Sequence, residues 1–281
     1  MNLFLDHSET IRLTAFIGAI LLLGFLQWRY SLRRDSRPAR RQLTNLALVA
    51  IDTLALRLAF PVLAVAFAAG HHASGGGLLA RLDLPQWLGI LVAVLVLDLA
   101  IYWQHRLFHR IPLLWRLHRV HHCDRRFDLT TGVRFHPGEI LLSMAIKIGV
   151  IWLIGAHPLA VLIFELALSL GSLWTHTDIA LPRRLDRGMR WLFVTPSMHR
   201  IHHSTWQPET DSNYGFHLSI WDRLFGSYTH APRQPERSMR IGLEQYRDDR
   251  DQGLLALLAN PFRRQEPPAG GSPRRYRTRA G

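Results

Sequence analysis

One cysteine, Cys123, stands among 281 residues. That excludes an internal disulfide and argues against a thiolate-based zinc site. No H-E-x-x-H occurs, so the zinc-protease pairing of two histidines with a general base is absent. Lysine is scarce beside arginine, which supplies nearly all of the positive charge in a net balance of +13. The first ten residues lack a basic region, and no A-x-A site closes the first apolar run, so no cleavable signal is expected. No repeat of the solenoid kind is found. A basic chain suits either nucleic acid or an anionic membrane surface. The Pro-, Gly- and Arg-rich tail after Asn260 lacks interleaved aromatics or a known module, which argues against nucleic acid. Apolar runs long enough to cross a bilayer point to the membrane.

Those runs alternate with arginine-rich segments. The first spans about Ile11 to Trp28, and Arg29, Arg33, Arg34, Arg37, Arg40 and Arg41 follow it, a basic flank that the positive-inside rule places in the cytoplasm. A second run, Leu43–Ala69, returns outward; Asp52, Arg57 and Pro61 predict a kink or partial shielding from lipid. His71-His72 then falls in a Gly-rich outer loop reaching Leu84. A third run, Leu84–Trp103, passes inward. Glu139–Ala156 and Leu159–Trp174, separated by His157-Pro158, form a membrane hairpin. The expected fold is an all-α integral membrane protein with about three spanning helices, a membrane helical hairpin and a cytoplasmic His-rich helical cap. Short helical pieces are expected around Asp186–Val194 and Ser197–Ser204. The sequence divides into N-terminal membrane helices (1–85), a central domain (86–230) and a basic C-terminal segment (231–281). Composition predicts disorder after Asn260.

The chemistry lies in histidine spacing. His105-x-x-x-His109, His118-x-x-His121-His122 and His199-x-x-His202-His203 place eight of the 16 histidines in three clusters. Residues three and four apart share a helical face, so each cluster presents converging imidazoles. Such repetition beside a membrane reads as a metal site for iron, zinc, copper or nickel. Two further histidines stand in suggestive settings, His136 in RFHPGE and His176 in WTHTDI. Eight to ten imidazoles exceed what one ion holds, so two ions is the economical count. Asp98, seven residues before His105, shares its helical face with Tyr102 between them. Asp98, Tyr102 and Asp178 are the candidate catalytic or ligand-orienting groups; Asp124, Asp222 and the intramembrane Glu165 are weaker ones. The arginines at 106, 110, 116, 119, 125 and 126 read as snorkelling toward headgroups. Trp103, Trp115, Trp174, Trp191 and Trp221 read as interface anchors, and Cys123 as a small packing residue.

Five motifs follow in order: D-x-x-x-Y-W-x-H-R-x-x-H (Asp98–His109), W-x-x-H-x-x-H-H (Trp115–His122), R-F-H-P-x-E (Arg134–Glu139), His176-x-Asp178 and H-x-x-H-H (His199–His203). With Asn213-Tyr214-Gly215 and Trp221-Asp222-x-x-Phe225-Gly226 behind them, the chain resembles the fatty acid hydroxylase superfamily, also called the sterol desaturase family, over about residues 90–230. The resemblance implies a membrane-bound, non-haem di-iron enzyme that uses O2 and two electrons to hydroxylate or desaturate a lipid C–H bond. It implies ligands at His105, His109, His118, His121, His122, His199, His202 and His203, with His176 a ninth and His136 a tenth. Zinc is a possible substitute in purified samples. His136-Pro137-Gly138 matches part of the haem-binding H-P-G-G of cytochrome b5, but Glu139 and the missing surrounding domain argue against haem. A separate electron donor, cytochrome b5-like or ferredoxin-like, is therefore expected. The composition leans toward a bacterial inner membrane with the His site facing the cytoplasm. A divalent-metal transporter or storage protein is the rival, though transport sites usually lie near the midplane. A bis-histidine haem carrier leaves the triplets unexplained. Neither the lipid nor the oligomeric state is written in the sequence.

Overall fold

The structure, a computed structural model, describes residues 5, 7–33, 38–60 and 62–264. The expectations for Arg34, Arg37, Pro61 and the tail 265–281 lie outside the described residues. Among those residues every regular element is helical, and the only β pairings are isolated bridges such as Ser31–Ile179. Five stretches are long and apolar enough to cross a membrane: Ser8–Tyr30, Ala39–Ala73, Gln86–Arg110, Pro137–Ile154 and Pro158–His176. The first is helix α1. The second divides into α2 (Ala39–Ala59) and α3 (Ala64–Ala73). Helix α4 is Gln86–Arg110, and α5, Pro112–His122, follows after a single residue. Along α1 the side chains of Leu21, Leu22, Phe25 and Trp28 are exposed, as a lipid-facing surface requires.

Prolines and one glycine set the bends. A residue before proline avoids the helical region, and Ile111 is extended at φ −91°, ψ 119°. Pro112 then opens α5 from the first-turn position that tolerates its missing N–H. The histidines at the end of α4 thus face those of α5. The hairpin consists of α6 (Pro137–Ile154) and α7 (Pro158–His176). Gly155 closes α6 in the left-handed conformation at φ 66°. Its neighbourhood is tight as well: a Cβ on Gly155 would lie 2.1 Å from the Gly76 carbonyl oxygen.

Helix α7 is central, packing on α1, α3 and α4. Ala64, Ala68, Ala93, Leu97, Ile151, Ala160 and Val161 form the apolar core of the bundle. The cap follows as α8 (Arg183–Met189), α9 (Pro196–His202), α10 (Gln207–Thr210), α11 (Ile220–Leu224) and α12 (Leu254–Ala259). Helix α9 packs on the end of α7, and Thr195 caps it by accepting the Met198 N–H.

Three local expectations change. His71 and His72 lie in the last turn of α3, not in a loop: the helix runs on through Gly70 and stops at Ser74, before Gly75 turns to φ 70°. Arg119 is wholly buried, donating to the Asn260 side chain and to the carbonyls of Asn260 and Arg263, instead of snorkelling. Trp115 is buried too, its ring 5.0 Å from that of His109 and 5.5 Å from that of His122, so it is no interface anchor.

Candidate metal centre

Nine buried histidines meet where α4, α5, α7 and α9 end. His105, His109, His118, His122 and His202 form one group; His121, His176, His199 and His203 form the other. Within each group one ring nitrogen per residue lies within 4.8 Å of all the others. Each H-x-x-H-H triplet is split between the groups. Positions 118 and 122 share a helical face while 121 is turned away from 122; likewise 199 and 203 go together and 202 goes across. The two groups touch, with the rings of His122 and His203 stacked at 4.6 Å and those of His121 and His122 edge-on at 5.2 Å.

Tautomers follow from the backbone. The Nδ1–H of His105 donates to the Tyr214 carbonyl (2.8 Å), that of His202 to Ser212 (2.7 Å), that of His176 to Ser172 (2.7 Å) and that of His121 to Arg134 (3.3 Å). His118 Nδ1 lies 2.7 Å from the Glu139 carboxylate and His109 Nδ1 3.4 Å from Asp211. Where Nδ1 is protonated, Nε2 carries a lone pair. The Nε2 atoms of His121 and His176 are then two lone pairs 3.1 Å apart. The Nε2 atoms of His199 and His203 lie 3.0 and 3.1 Å from His176 Nε2, while their Nδ1 atoms are buried without a partner. In the other group the Nε2 atoms of His105, His118, His122 and His202 are buried without a hydrogen-bond partner. Facing lone pairs repel, and a buried acceptor without a donor costs about 1–3 kcal/mol; a cation among them resolves both. The residues fit a metal in each group, and all-imidazole donors suit the borderline transition metals. Burial pushes His118 down to about 3. Burial, reinforced by neighbouring imidazoles, holds His121, His122, His199, His202 and His203 well below the ordinary histidine value. These rings are neutral at pH 7, the form that ligates.

The other sequence candidates sit elsewhere. His136 is outside both groups: its Nδ1 accepts the Gly138 N–H at the start of α6, and its Nε2 lies 3.1 Å from the Leu258 carbonyl. Asp98 is held by His217 Nδ1 and by the Trp221 indole N–H at 2.7 Å. The Tyr102 hydroxyl meets Ser227 at 2.8 Å and the Arg106 guanidinium at 3.0 Å. Asp178 accepts from Ser31 Oγ (2.8 Å) and the Arg33 N–H (3.1 Å), and lies 3.4 Å from Arg200, tying the ends of α1 and α7 to α9. Cys123 is buried and packs its sulfur 3.3 Å from the Val120 carbonyl and the Arg134 guanidinium. Sequence reasoning missed Glu139 as a ligand-orienting group; its signal was an acid opening an apolar run, three residues after a histidine. It also missed Tyr214, whose ring packs 5.2 Å from that of His109, and the carbonyls that set the tautomers, which carry no residue-type signal.

A cavity of about 310 Å³ opens beside His105 and His118. Phe16, Val49, Ile101, Phe108, Leu168 and Phe216 make most of it apolar.

A family model described as fatty acid hydroxylase matches residues 90–227. The chain is 31% identical over 182 residues to the ornithine lipid hydroxylase OlsE of Rhizobium tropici, a match covering 64% of this chain and 52% of that one. It is 34% identical over 132 residues to the alkylglycerol monooxygenase of Xenopus tropicalis, covering 47% of this chain and 28% of that one. Similarity to the cholesterol 25-hydroxylase of Rattus norvegicus is lower, 26% over 236 residues, but spans 82% of this chain and 74% of that one. The chain thus spans about half the length of the first of these relatives and under a third of the second. No solved structure matches it.

Proposed function

Through residues 90–227 the chain belongs to the fatty acid hydroxylase family, and on that premise we propose that it is a membrane-embedded, O2-dependent enzyme that hydroxylates or desaturates a lipid. One observation carries the reading: nine buried imidazoles in two touching groups, with the Nε2 atoms of His105, His118, His122 and His202 lacking any hydrogen-bond partner, beside an apolar cavity. His105, His109, His118, His122 and His202 would hold one ion, and His121, His176, His199 and His203 the second. When bound, two irons supply the activation of O2, with two electrons delivered by a separate donor protein of the cytochrome b5 or ferredoxin kind.

The chain's own residues do the rest. Four backbone carbonyls and the Glu139 carboxylate keep the ring protons of His105, His118, His121, His176 and His202 on Nδ1 and so keep those five Nε2 atoms available. Phe108, Leu168 and Phe216 keep water from the cavity beside His105 and His118, and present an acyl chain there without taking it out of an apolar environment. Ser31, at the end of α1, bonds Asp178 beside the centre. The arginine-rich flank after α1 therefore lies at the same end of the bundle as the histidines. By the positive-inside rule that end faces the cytoplasm, in our reading that of a bacterial inner membrane.

The test is lipid profiling of cells with and without the iron-loaded chain. Products one oxygen heavier or two hydrogens lighter are expected, and His121→Ala together with His176→Ala should abolish them. Identical profiles with iron-loaded protein present in the membrane would overturn the proposal.

A further inference from the structure

The cavity beside His105 and His118 holds more hydrogen-bond acceptors than its walls can satisfy. Asp52 Oδ1, Gln104 Oε1 and Glu139 Oε2 are all buried without a partner, and all three residues line it. Buried polar atoms are nearly always satisfied, so three unsatisfied acceptors in one cavity call for an occupant that donates. The wall supplies little help. Gln104 spends its amide N–H on Ser143 Oγ at 2.8 Å, and Glu139 uses its other oxygen on His118. No arginine or lysine lines the cavity among the described residues. Asp52 is 7% exposed in the middle of α2, an apolar helix where an unpaired carboxyl is expensive.

We infer that Asp52, with Gln104 and Glu139, forms a polar subsite that binds a hydrogen-bond-donating group of the lipid, a hydroxyl or an ammonium. The inference rests on the proposed function, since it deepens the substrate class of that same site. Asp52 and Glu139 line the same cavity, so a donor that enters it meets acceptors from both. Because Glu139 also bonds His118, anchoring that donor fixes which carbon of the chain lies beside the histidines. The subsite thus determines position of attack as well as choice of lipid. Asp52 is a specificity-determining residue that belongs to neither histidine group.

The test uses the full chain in nanodiscs and measures retention of tritiated n-dodecanol and n-dodecylamine against n-dodecane. Wild type should hold the alcohol and the amine about tenfold more tightly than the hydrocarbon, the scale of one hydrogen bond made to a buried group that otherwise lacks a partner. Asp52→Leu should lose that preference while keeping the wild-type metal content. Asp52→Asn keeps an acceptor oxygen without the charge, so it should retain the alcohol preference and lose that for the amine. If Asp52→Leu does not fold, as its metal content will show, Asp52→Asn alone decides. Equal discrimination in wild type and both variants, or none in wild type, overturns the inference; a cavity filled by water alone gives the latter result. Lipid profiling separates the two claims. Oxygenated products without the binding preference sink only the subsite, and the binding preference without products sinks only the enzymatic reading.

Discussion

Arg41→Met should uncover two buried carboxylates. The Arg41 guanidinium is bidentate on Asp124 (Nε–Oδ1 2.7 Å, Nη2–Oδ2 2.7 Å), reaches Asp128 at 2.6 Å and donates to Thr131 at 2.9 Å. The side chains of both acids are 0% exposed. Burial alone would raise the Asp124 carboxyl, but Arg41 and Arg134 hold it well below the usual range. Breaking one partner out of a buried pair costs about 3–5 kcal/mol, because the charge left behind is uncompensated. Arg134 remains near Asp124, and Asp128 keeps the Thr130 N–H and hydroxyl, so the lower end, about 3 kcal/mol, is expected. For a domain of this size that is a fall of roughly 6–12 °C in unfolding temperature. Thermal unfolding of the full chain in detergent measures it. Arg41→Met combined with Asp124→Asn should be at least as stable as Arg41→Met alone, since the stranded charge is then removed. Melting of Arg41→Met together with wild type, or a double variant less stable than Arg41→Met, would refute this. Asp124 lies two residues past His122, so the single variant should also retain metal less well.

Three further outcomes follow from the site. Glu139→Gln leaves His118 Nδ1 facing an amide instead of a carboxylate; metal affinity should fall about 10–100-fold, read by metal content after dialysis against a graded chelator. His136→Ala should leave metal content unchanged, since both ring nitrogens are occupied outside the groups, and should cost about 0.5–2 kcal/mol as a lost helix cap; metal loss equal to that of His121→Ala would refute this. The site histidines outside the spanning helices have folded values below their unfolded one, His118 at about 3. The unfolded chain therefore binds more protons, and the stability these groups contribute above pH 6.5 is lost as pH falls toward 3, by up to about 1.4 kcal/mol per pH unit for each. Metal-free protein should melt lower at pH 5.5 than at pH 7.5, and a higher melting temperature at pH 5.5 would refute the sign.

What the sequence alone determined was local. Apolar runs of spanning length and the i, i+3, i+4 histidine spacing are properties of neighbouring residues, and each announced its element before any packing was known. Spacing alone also brought His105 to His109 and His118 to His122. The rest was decided by contacts between residues far apart in the chain. Helix periodicity divides each triplet, but which part of one triplet joins which part of the other depends on how α9 meets α5, which no local pattern encodes. His136 follows a histidine-rich segment and sits in a suggestive motif, yet folding turns it to cap α6. Arg41 read as part of a cytoplasmic basic flank and Arg119 as a headgroup-seeking cation, but burial beside Asp124 or beneath Asn260 gives them internal partners. Asp98, correctly singled out as an acid in an apolar helix, found His217 and Trp221 instead of a site histidine. Charge and hydropathy report what a side chain tolerates; only the assembled bundle supplies the partner 80 to 140 positions away that decides what it does.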